Sequence, residues 1–130
     1  MNPWLGQAWS DETRSVWGAV TGPADLDARI QVEVTGGPER STDWHAVIER
    51  GRLVASGPGI LQGTDVTMTV TWDDALALLR GALDPSVAFM QGRLKVSGSM
   101  AVVLALLPLT RTETYAAARA RVLELTSLPD

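Results

Sequence analysis

The sequence predicts an α+β fold: a mostly antiparallel sheet of five strands, with helices packed on one of its faces. Three observations lead there. The first half alternates apolar and polar residues with a period of two, as half-buried strands do. The second half spaces its apolar residues at helical intervals. Between Gly81 and Met100, the segment GALDPSVAFMQGRLKVSGSM compresses two helix stops, a helix start and a further strand into almost wholly apolar or small residues.

A short helix over Ser10–Val20 opens the chain. From Ala28 to Thr35, Ile30, Val32 and Val34 share one face and Arg29, Gln31 and Glu33 the other. Gly36-Gly37-Pro38 ends that strand. Trp44, Ala46 and Ile48 share a face in the next, and Gly51 turns it into a hairpin with Leu53–Ser56. Gly57-Pro58-Gly59 closes the hairpin. Asp65–Thr71 places Val66, Met68 and Val70 inward and three threonines outward. One polar face per strand suits an antiparallel sheet that is wet on one side.

Thr71 or Trp72 then caps a helix opened by Asp73-Asp74, whose carboxylates suit its positive end. Its apolar face is Trp72, Ala75, Leu76, Leu79 and Leu83, and Gly81 supplies a left-handed stop. Asp84-Pro85 starts a short apolar helix with Asp as cap and Pro in the first turn. Arg93–Ser97 alternates again, with Leu94 and Val96 inward. Ser99 caps the apolar helix Met100–Leu107, which Pro108 breaks. Thr110-Arg111-Thr112-Glu113 has the form of a capping box. It opens a last helix to about Thr126, with a seam of Tyr115, Ala118, Val122 and Leu125.

Composition limits the function. A chain of 130 residues has room for one domain and one core. A net charge of −4 and a pI near 4.9 leave no electrostatic footprint for nucleic acid. There are no cysteines, so no disulfide, thiolate metal site or cysteine nucleophile is expected. The longest apolar run, Met100–Leu107, is far short of the ~20 residues of a membrane span. The first residues lack the charged and apolar regions of a signal peptide. A cytoplasmic protein of a GC-rich bacterium is the expectation.

No constellation for chemistry emerges. His45 is the single histidine and falls on the polar strand face without a partner in its motif. Asp73-Asp74 is explained by capping and the helix dipole. Gly57-Pro58-Gly59 and Gly98-Ser99 are turns, without the lysine of a phosphate loop. The tryptophans read as core, with Trp4, Trp9 and Trp17 the candidates for exposure. No metal and no cofactor are implied. The apolar residues of the second half read first as ordinary core.

The order of four strands, helix, short helix, strand and apolar helix is similar to that of the sterol carrier protein type 2 family. LDPSVAFMQGRLKVSGSMAVVLAL resembles the family's most recognisable region, and the similarity runs from about Ala28 to Leu109. The resemblance implies a five-stranded sheet with helices over one face, enclosing a hydrophobic tunnel. It divides the chain into an N-terminal helical segment (1–27), a family core (28–109) and an additional C-terminal helix (110–130). It implies non-enzymatic binding, transfer or presentation of a lipid, fatty acyl or sterol-like molecule. Met68, Val70, Leu76, Leu79, Phe89, Met90, Met100, Val103, Leu104 and Leu107 would then line the tunnel, with methionines adapting to varied ligand shapes. The alternatives are a dimerisation module of the same fold, acting as a homodimer, and an isomerase or cyclase acting on a hydrophobic substrate. The last helix is expected to act as a lid on the tunnel mouth.

Overall fold

A computed structural model describes residues 2–38 and 40–128. The expected C-terminal segment therefore loses Pro129 and Asp130, which lie outside the described residues. The elements follow in order: β1 (Asn2–Pro3), α1 (Gln7–Trp17), β2 (Ala28–Thr35), β3 (Ser41–Glu49), β4 (Arg52–Pro58) and β5 (Val66–Thr71). Then come α2 (Trp72–Arg80), α3 (Pro85–Met90), β6 (Leu94–Gly98), α4 (Met100–Leu106), a 3-10 turn (Leu107–Arg111), α5 (Glu113–Glu124) and β7 (Thr126–Ser127).

The five long strands form one sheet in the order β4-β3-β2-β5-β6. Three of its pairings are antiparallel, and β2 with β5 is parallel. After the β3–β4 hairpin the chain crosses back to the far side of β2, so the sheet is mixed. Period-two patterning reports which side chains share a face and says nothing about strand direction, so this pairing was not legible in it. The register lines up rows across the inner face. Trp44, Val32, Met68 and Val96 form one such row, and Val34, Val70 and Leu94 another. Gln31, on the other face, is buried because the loop after β4 lies over it. Its amide donates to the carbonyls of Trp44 and Gly59 and accepts from the Leu61 N–H.

Local signals set the helix ends. The Thr71 hydroxyl accepts from Asp74 N–H, and Gly81 ends α2 at φ +78°. Asp84 caps α3 and Ser99 caps α4 as expected. Three boundaries differ from expectation. First, α1 starts at Gln7, and Ser10 lies buried inside it, donating its hydroxyl to the Gly6 carbonyl. Second, α4 ends at Leu106, just before Pro108 as expected, but the chain does not leave the helical path; a proline is tolerated early in a tightened 3-10 turn, which continues the chain to Arg111. Third, the α5 cap is Thr112, whose hydroxyl accepts from Tyr115 N–H, so the Thr110–Glu113 box is not the cap. The β1–β7 ribbon, which joins the two ends of the chain, carried no signal.

All five helices lie toward one side of the sheet, with α1 against β4, α2 against β5, α3 against β6, and α5 across α1 and α2. The buried side chains form two clusters. One contains Leu5, Trp9, Val34, Val70, Leu79 and Val122; the other contains Leu26, Ala28, Ile30 and Ala46. Val32 and Trp44 pack against both. The expected seam of α5 faces this core, with Val122 fully buried and Ala118 nearly so. A lid that opens would have to withdraw Val122 from the centre of the first cluster, so the structure makes α5 a core element.

Removing the Val122 side chain should therefore matter. Val122→Ala is expected to cost about 1.5–3 kcal/mol of stability by chemical denaturation. Ending the chain at Pro108 should abolish the cooperative thermal transition. A truncated chain that melts cooperatively near the full-length temperature would show that α5 is a dispensable lid.

Candidate functional site

The two core clusters do not close on each other. Between the sheet and the helices lies an apolar cavity of about 390 Å³. Its floor is the inner sheet face: Val32, Trp44, Ala46 and Ile48 with Met68 and Val96. Its walls come from α2 (Ala75, Leu78, Leu79), α3 (Pro85, Phe89), α4 and the turn after it (Val103, Leu106, Leu107, Leu109). The N-terminal segment adds Trp4, Leu5, Trp9 and Trp17, so four of the five tryptophans border the cavity.

An indole brings an N–H that an apolar wall cannot satisfy. For Trp9 and Trp44 the protein removes that cost by turning the N–H outward. Trp9 Nε1 donates to Thr126 Oγ1 at 2.7 Å, and Trp44 Nε1 to Ser10 Oγ at 2.9 Å. The Ser10 and Thr126 hydroxyls in turn donate hydrogen bonds to the Gly6 and Val122 carbonyls. The two rings meet edge to face with centroids 5.9 Å apart. Among the described residues no buried side-chain polar atom lacks a partner.

The expected site residues divide. Met68, Val70, Leu79, Phe89, Val103 and Leu107 line the cavity. Leu76 is buried but does not border the cavity, which Ala75, Leu78 and Leu79 of the same helix do. Met90 is 84% exposed, Leu104 62% and Met100 48%, and none of the three borders the cavity. Each shares a helix with a lining residue but points from another face: Met90 follows Phe89, and Leu104 follows Val103, one step of about 100° further round. α3 and α4 carry apolar residues on the cavity side and on the solvent side alike, so helical spacing alone does not say which of them face inward. The N-terminal tryptophans were missed as lining. Their signal was present: three of them fall within the first 17 residues of a chain with one Phe and one Tyr.

His45 lies on the sheet's outer face, its Nδ1 3.3 Å from the Gly59 carbonyl oxygen. Asp73 and Asp74 open α2 as expected. Asp74 also pairs with Arg93 at 2.7 Å, tying α2 to the start of β6, and the Arg93 hydrogen bond holds its carboxyl below the usual value. Among the described residues no three of His, Asp and Glu gather as metal ligands would. Polar character enters the cavity through Thr110, Tyr115 and Arg119. Burial pushes the Tyr115 phenol above its ordinary 10.0; Arg119 opposes the shift and Asp84 adds to it.

A sequence-family comparison matches residues 23–111 to the SCP-2 sterol transfer family. The chain belongs to that family. Sterol carrier protein 2 of Bos taurus is 43% identical over 71 residues, which are 55% of this chain and 12% of that protein. The chain thus spans about a tenth of the length of the curated relatives it matches. A crystal structure of sterol carrier protein 2 shares the fold with a TM-score of 0.72 at 16% identity, covering 89% of this chain and 97% of that one. The solution structure of palmitated SCP2L2 from Aedes aegypti has a TM-score of 0.65 at 22% identity, covering 80% and 92%. Among the described residues no helix is long and apolar enough to cross a membrane.

Tyr115 is the single tyrosine, so its titration can be read directly. A phenol whose folded pKa is raised contributes stability fully below the unfolded value of ~10, and that stability is lost as pH rises through the folded value. The phenolate absorbance should therefore appear with a midpoint above that of free tyrosine, and alkaline destabilisation should be milder in Tyr115→Phe. A midpoint at or below the free value would place the hydroxyl in solvent.

Proposed function

We propose that this chain binds one hydrophobic small molecule non-covalently in the cavity, and presents or transfers it. A lipid, fatty acyl or sterol-like molecule is the class the cavity suits. The observation that carries the reading is the cavity itself: about 390 Å³ of space walled by aliphatic and indole carbon in the middle of a small domain. Volumes of this order are the lower range of ligand sites. Burying apolar ligand surface there stabilises the complex by about 25 cal/mol per Å2, before the cost of association. Membership of a sterol transfer family supports the reading, as does a relative whose solution structure is described as palmitated.

The lining favours binding over turnover. A base needs hydrogen-bond reach of the proton it removes, and His45 is on the opposite side of the sheet. Burial favours the protonated form of the Tyr115 phenol, and the Arg119 fork offers donors and no acceptor. Neither is a base for an isomerase or cyclase.

A second reading concerns the outer faces of α3 and α4. Val87, Met90, Met100 and Leu104 are exposed there, and exposed apolar groups of this kind mark association surfaces. Such a homodimer would leave the cavity in place. Light scattering that shows a dimer converted to a monomer by Met90→Lys with Leu104→Lys would establish it; a monomer at all concentrations would remove it.

Substitutions that fill the cavity separate it from ordinary core. Leu107→Trp should weaken binding of a fluorescent fatty acid at least tenfold while the protein stays folded. Met100→Trp, at an exposed position, should leave binding within about twofold. Equal effects of the two, or unfolding by Leu107→Trp, would contradict a ligand in this cavity.

A further inference from the structure

The cavity has one charged group in its wall, and α5 supplies it. Arg119 is half-buried, one turn after Tyr115 on the same face of the helix, and both border the cavity. Its guanidinium rests on the C-terminal end of α2, where one terminal nitrogen donates to the Leu79 carbonyl at 3.0 Å. Gly81 makes room for it: a Cβ there would lie 2.6 Å from the guanidinium carbon. Among the described residues that is the group's single hydrogen bond, and it enters no ion pair. The nearby carboxylate of Asp84 is engaged by the Ser86 and Val87 N–H groups at the start of α3.

A guanidinium carries five N–H donors in a planar fork. One of Arg119's is used. The remaining donors stand beside an apolar space, where an opposite charge would be attracted more strongly than in water. Tyr115 adds a neutral hydroxyl one turn away. Both residues lie beyond 23–111, the stretch matched by the family, so they belong to this chain's own C-terminal helix.

We propose that Arg119 is the specificity-determining residue of the cavity, selecting an apolar molecule that ends in a carboxylate over its neutral counterpart. The carboxylate accepts from the free donors of the guanidinium and from the Tyr115 hydroxyl, and the hydrocarbon lies along the inner face of the sheet. This rests on the reading that the cavity holds a hydrophobic ligand.

The test compares laurate with methyl laurate, which differ in charge and share a chain. Titration of the full chain below the critical micelle concentration should show laurate binding about tenfold or more tightly, in line with hydrogen bonds to charged groups. Arg119→Gln should remove that preference, lowering laurate affinity about tenfold more than methyl laurate affinity. Arg119→Lys, which keeps the charge and loses the fork, should fall between. A merely structural role at the Leu79 carbonyl would weaken both ligands together, and that result overturns the proposal. Equal binding of the two ligands by the unaltered chain overturns it as well. Should Arg119→Gln fail to fold, the side-chain Nε–H NMR signal of Arg119 decides: laurate must shift it and methyl laurate must not. If neither ligand binds the unaltered chain, the carrier reading itself falls.

Discussion

The fold is organised around a void that it must hold open. Side chains that border empty space lose the contacts a packed neighbour would give them, and the apolar space here is about 390 Å³. The net stability of a domain is only about 5–15 kcal/mol, so such a space has to be well braced. The chain survives this by splitting its core. One cluster braces the N-terminal segment, α2 and α5 against the sheet; the other lies at the end of the sheet where β2 begins and β3 finishes. Val32 and Trp44 join the two. A molecule that restores the missing contacts would stabilise the folded state by mass action.

An apolar lining puts a second demand on the structure. Every polar atom near it must be satisfied elsewhere. The Ser10 and Thr126 hydroxyls do this for the Trp44 and Trp9 indoles, and in doing so they join α1 to β3 and β7 to α1. Polar residues buried in unlikely places are thus the condition for an apolar lining. The same hydrogen bonds anchor both chain ends, together with the β1–β7 ribbon. The polar exception, at Arg119, sits at the end of the cavity bordered by α2 and α5.

Much of the fold was legible in the residues. β2, β3, β5 and β6 announced themselves by alternation and β4 by the hairpin turn at Gly51, and the inner faces read from Ile30, Val32, Val34, Met68 and Val70 are the observed ones. The caps at Thr71, Asp84 and Ser99 were legible because a side chain meeting an orphan N–H is a local event. The parallel β2–β5 pairing was not, because it depends on how the chain crosses over. The lining was half legible. Met68, Val70, Leu79, Phe89, Val103 and Leu107 border the cavity, while Met90, Met100 and Leu104 do not. Short helices with apolar residues on both sides contain no information on which side faces inward. The hydrogen bonds that fix the Trp9 and Trp44 indoles were not legible either, since they depend on Thr126 and Ser10, far apart in sequence and silent on their own.

The central claim is that the void holds a hydrophobic molecule. The direct measurement is mass spectrometry of an organic extract of the purified protein, alongside native mass spectrometry of the intact chain. A carrier predicts a bound mass at one molecule per chain that is lost on extraction, with a lower melting temperature for the stripped protein. A native mass equal to the bare chain, with a melting temperature unmoved by stripping or by added lipids, would contradict it.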